Sequence, residues 1–152
     1  MMHHVHHHTQ PAQLEKYSFL WSEARLIVAA LALFLGGVPP IMYLAQVLGL
    51  YNPLYSLLTM AWILSGLASA YMLYRWNMNG RKLFGAREPK DMYAFFVSVI
   101  SGLNLGFAGL LGTNIGMSIS SAYPLFIAVG VAYILSAVHL NKRWREHGQK
   151  IF

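Results

Sequence analysis

The sequence contains no cysteine and only five acidic residues. The first absence excludes disulfides, thiol redox chemistry and thiolate metal sites, and with them membrane oxidoreductases that work through Cys-x-x-Cys. Charge of either sign is scarce: Asp, Glu, Lys and Arg make up 11% of 152 residues, against 57% hydrophobic residues. Such a chain, with a positive mean hydropathy, is too apolar for an ordinary soluble domain and belongs in a bilayer. Glycine-rich phosphate loops are missing as well, and the aqueous segments are too short and too poor in histidine and aspartate to hold an active site. The expectation is a protein that is not an enzyme and that uses no metal and no cofactor. The formal charge of +6 comes from basic residues flanking apolar runs, which topology and anionic lipid explain without nucleic acid.

What is present is apolar sequence in four blocks. The expected spans are about residues 25–48, 54–74, 92–111 and 119–139, each long enough for a hydrocarbon core of ~30 Å at ~1.5 Å per residue. The fold expected is an all-α integral membrane protein, four transmembrane helices in an up-down bundle. Residues 1–21, opening MMHHVHHHTQPAQ, read as a disordered histidine-rich tail or a purification tag interrupted by Val5; residues 22–141 as the transmembrane domain; residues 142–152 as a basic tail. Ser22 and Glu23 are expected to cap the first span, and Asp91 the third. Gly36-Gly37-Val38-Pro39-Pro40 removes two amide donors within the first span, so a kink is expected there. The alternative is a broken helix lining a solute site.

From Ser98 to Gly112, small residues gather on one side of a helix at about 100° per residue: Ser98, Ser101, Gly102, Gly106, Ala108, Gly109 and Gly112. Gly102 and Gly106 have the GxxxG spacing by which membrane helices approach closely. Ala128, Ala132 and Ser136 repeat the device in the fourth span, and Ser65, Gly66, Ser69 and Ala70 in the second. Asn104, beside this stripe, is the most polar group expected deep in a span. With Ser101 and the Pro39-Pro40 break it defines a possible polar path.

All eleven Lys and Arg residues are expected before the first span's interior, between spans two and three, or after span four. The positive-inside rule then places both termini and the middle loop in the cytoplasm. Tyr17, Trp21, Tyr71, Tyr74, Trp76, Tyr93 and Trp144 would form the cytoplasmic aromatic belt. In the middle loop, Arg75, Arg81, Lys82, Arg87 and Lys90 are expected to meet anionic headgroups or a partner protein, with Leu83 and Phe84 dipping into the headgroup layer.

On this reading the spans hold no ionisable residue, and proton relays and ion-coupled carriers normally need one. The favoured expectation is therefore an accessory subunit of a membrane complex in the cytoplasmic or cell membrane, binding lipids and other subunits or copies of itself through its Gly/Ser/Ala faces. The alternative is a homo-oligomeric channel or transporter for a small neutral or weakly charged solute.

Overall fold

The computed structural model describes residues 11–112, 114–115 and 119–152. The histidine-rich stretch before Pro11, Thr113 and residues 116–118 lie outside the described residues. The described chain is helical throughout its main elements: α1 Pro11–Phe34, α2 Pro40–Leu48, α3 Tyr51–Met78, α4 Pro89–Leu111 and α5 Tyr123–Glu146. Four of them, α1, α3, α4 and α5, are long and apolar enough to cross a membrane. Large apolar side chains such as Leu64, Leu67, Ile100, Leu110, Leu135 and Val138 point outward, a surface water would not tolerate and lipid does. The chain is a multi-pass membrane protein built as a four-helix bundle.

The first span differs from expectation in register. It runs Ala12–Phe34, not 25–48, and residues 11–21 are its first turns rather than a tail. The physical reason is at its far end. Gly36 and Gly37 take φ values of 82° and 91°, a left-handed conformation that glycine adopts without steric cost. The Gly37 N–H bonds back to Ala32 O at 2.8 Å, which closes the helix outright. Val38-Pro39-Pro40 then starts α2 as a separate helix, with Pro40 at its first turn. A kink in one continuous helix is replaced by a stop and a restart. The second span extends past both expected limits, to 51–78; the third starts three residues earlier, at 89, and ends at 111 as expected; the fourth is shifted toward the C-terminus, to 123–146.

In the bundle α1 packs on α5, α3 and α4, and α4 packs on α3 and α5, while the backbones of α3 and α5 stay apart among the described residues. The α3–α4 seam is the closest. A Cβ added to Gly66 would lie 2.6 Å from Gly106 Cα, so the two backbones are in contact there.

One end of the bundle carries the charges and has an aromatic core. Phe19, Met72, Phe95, Leu140 and Trp144 pack with Leu83, Phe84 and Ile151 into a single cluster. Leu83 and Phe84 are therefore core residues, not headgroup anchors: Phe84 N–H bonds to Ile151 O at 2.8 Å, drawing loop and C-terminal segment together against the helix ends. Residues 142–152 are likewise no free tail, since α5 continues to Glu146 and Ile151 is buried. Asp91 does not cap α4. Fully buried, it lies 2.7 Å from His139 Nε2 and accepts from Arg143 Nε at 3.2 Å, both on α5, and these two side-chain partners one turn apart outcompete a backbone amide.

Candidate functional site

At the other, uncharged end the helices part around a cavity of about 540 Å³, within the range of small-molecule sites. Its rim is formed by the connections at that end, Gly37 and Pro39 after α1, Gly112 and Asn114 after α4. Its walls are mainly apolar, with Trp62 and Tyr55 of α3 and Tyr133 of α5 among them. Its floor is polar and holds Arg25.

Arg25 is where the new register matters. Counting along α1 at ~1.5 Å per residue, it lies about 14 Å from the Phe34 end and about 21 Å from Pro11, well inside a ~30 Å hydrocarbon layer. It is 8% exposed. Its guanidinium donates from Nη2 to Ser98 O at 2.8 Å and Ser98 Oγ at 3.3 Å, and from Nη1 to Ser101 Oγ. The Nε–H is buried and makes no hydrogen bond. Among the described residues no carboxylate forms an ion pair with Arg25. A cation at mid-depth costs about 3 kcal/mol on insertion scales, which three hydrogen bonds to serine groups offset without neutralising the charge.

Arg25 can sit against α4 because that helix presents no bulk there. A Cβ on Gly102 would lie 3.0 Å from Arg25 Nη2 and collide with Ser69 Oγ. One turn earlier on α1, Trp21 donates from Nε1 to Ser65 Oγ of α3 at 2.9 Å, so Trp21 belongs to the cavity wall and not to the aromatic belt. Near the rim, Asn104 Nδ2 donates to Asn114 Oδ1 at 2.9 Å.

The cavity thus brings together Ser101, Asn104 and Pro39; Pro40 is the first residue of α2 and does not line it. Ser98, Gly102, Gly106 and Gly109 all lie in the interior seams, the three glycines against Ser69, Gly66 and Ile63 of α3. Ala128 and Ala132 are exposed on the outer face of α5 while Ser136 is buried; the small residue of α5 that packs is Gly130, against the Phe34 ring. Of the loop cations, Arg75 pairs with Glu15 of α1, and Arg81, Lys82, Arg87 and Lys90 are exposed, Arg87 donating to Gly80 O at 2.9 Å.

Sequence reasoning did not place Arg25, Trp21 and Ser65 at this site, and the statement that the spans lack ionisable residues is overturned by Glu23 and Arg25, both buried within α1. The signal was available: a proline that can open a helix at residue 11 and a Gly-Gly that can end one at residue 36 bracket a span of the right length.

The fold defines a multi-pass membrane protein with a cavity between its helices. Compared with protein-family models, curated proteins and solved structures, the chain matches none.

Proposed function

We propose that the protein is a non-enzymatic membrane carrier that takes a solute into the bundle from its uncharged end. The observation that carries this is the cavity with Arg25 at its floor. A carrier has to be shut at one end while open at the other, and here the cavity opens in one half while the aromatic cluster around Phe95 and Trp144 closes the core of the other, leaving there a surface pocket beside Glu15 and Arg75. Ion pairs hold the filled end: Glu15 with Arg75, and Asp91 with His139 and Arg143. The path lies within one chain, so no ring of copies is required to form it. A buried charge at mid-depth also calls for a use, since such residues commonly mark solute and ion pathways. Among the described residues lining the cavity there is neither histidine nor carboxylate, and the serines there have no base to activate them.

The accessory-subunit expectation rested on glycine faces free to admit neighbours. Gly102, Gly106 and Gly109 use those faces on α3 of the same chain, which removes its main support.

The test exploits the absence of cysteine. Ala61→Cys, on the cavity wall, should react with a membrane-impermeant maleimide added from the side of the Asn52 end. Phe107→Cys, on the outer face, should not, because a thiol in lipid does not ionise. Equal and slow labelling at both positions would mean that lipid fills the cavity, and the carrier reading would fall.

A further inference from the structure

Resting on that reading, we propose that the solute is an organic monocarboxylate, bound carboxylate-first on the Nε edge of Arg25 with its apolar body along the walls of the cavity. Charge accounting leads there. Among the described residues Arg25 is the one charged side chain lining the cavity, and no ion pair balances it. Its Nε–H is buried without an acceptor. With Nη1 and Nη2 engaged by Ser101 and Ser98, that one N–H is the donor left over for a carboxylate oxygen.

Glu23, two residues away, acts on Arg25 electrostatically at a distance but forms no ion pair with it. Phe19 stacks on Trp144 of α5 at 5.1 Å and Phe34 lies against Gly130 of α5; at about 100° per residue Glu23 falls between them in phase, toward α5. Arg25 is about 200° further round, toward α4 and the cavity. Glu23 is absent from the cavity lining.

The same accounting sets the valence. One cation in a low-dielectric site neutralises one negative charge, whereas a phosphate monoester brings about 1.5 to 2 near neutral pH, leaving excess charge desolvated. A bare inorganic anion would satisfy Arg25 but leave the apolar wall of Trp62, Leu58, Leu105 and Val129 uncovered. A phospholipid of the bilayer keeps its headgroup at the interface, about 15 Å from mid-depth. An apolar body with a single carboxylate meets both the floor and the walls.

The experiment uses the full chain in lipid nanodiscs and follows quenching of tryptophan fluorescence by 8-bromooctanoate, since Trp21 and Trp62 both line the cavity. Quenching should saturate and be reversed by octanoate. Octanol and octyltrimethylammonium should fail to reverse it, and octyl phosphate should compete at least about tenfold more weakly. Arg25→Gln should raise the octanoate Kd at least about tenfold, with Arg25→Lys between it and the parent. Because Arg25 also joins α1 to α4, Ala61→Phe provides a second route: it fills the cavity, leaves Arg25 in place and should abolish saturable quenching. Octanol competing as well as octanoate, or unchanged octanoate binding in folded Arg25→Gln or in Ala61→Phe, would overturn the assignment. If Ala61→Cys is labelled from water while octanoate binds no better than octanol, the carrier reading stands and the carboxylate falls; if Ala61→Cys is not labelled, both fall.

Discussion

Gly106 is held to glycine by a distance. A Cβ there would stand 2.7 Å from Gly66 Cα, and because the obstacle is backbone it cannot rotate away. Gly106→Leu should therefore separate α3 from α4 and cost at least about 1–3 kcal/mol, the usual range for overpacking. Phe107→Leu, one residue on and turned outward, should change stability little. Thermal unfolding in detergent, followed by circular dichroism, measures both; equal losses would contradict the seam. This stripe was legible in the sequence because glycines repeated at helical spacing weaken a helix unless a neighbouring backbone comes close enough to use the space. The row Ala128, Ala132 and Ser136 had the same spacing, yet two of its three members are exposed. On α5 nearly every face is apolar, so spacing alone does not say which one meets protein and which meets lipid.

Among the elements, α1 departs furthest from expectation and with the largest consequence. Hydropathy favoured starting the first span at Arg25, since a charged residue reads locally as a membrane boundary. Glycine and proline stereochemistry at residues 36–40 decides otherwise and draws Glu23 and Arg25 inside. The α4–α5 pairing holds a second such case at the charged end. Asp91 is 0% exposed and bound to both His139 and Arg143. Asp91→Asn should lower stability by about 2 kcal/mol, because it leaves Arg143 partly buried against a neutral amide. Glu146→Gln, whose partner contact to Arg143 is long at 3.7 Å and half-exposed, should do little. The melting temperatures of the two variants decide this, and similar values would mean that the Asp91 cluster contributes no more than a surface pair.

The whole molecule is asymmetric, charged and packed around an aromatic core at one end, uncharged and parted around the Arg25 cavity at the other. By the positive-inside rule the charged end is expected to face the cytoplasm. Asn52→Cys, at the uncharged end, should be labelled from outside in intact cells, and Asn79→Cys only after permeabilisation; the reverse pattern would invert the bundle. The membrane setting, the number of spans and the sign of this asymmetry are determined by the sequence itself, because they follow from local composition and from where cations are placed along the chain. The cavity and its arginine were decided only by the tertiary structure. The partners that make a buried Arg25 tolerable, Ser98 and Ser101, lie 73 and 76 residues away, and no local pattern records that the small side of α4 would leave room for a guanidinium.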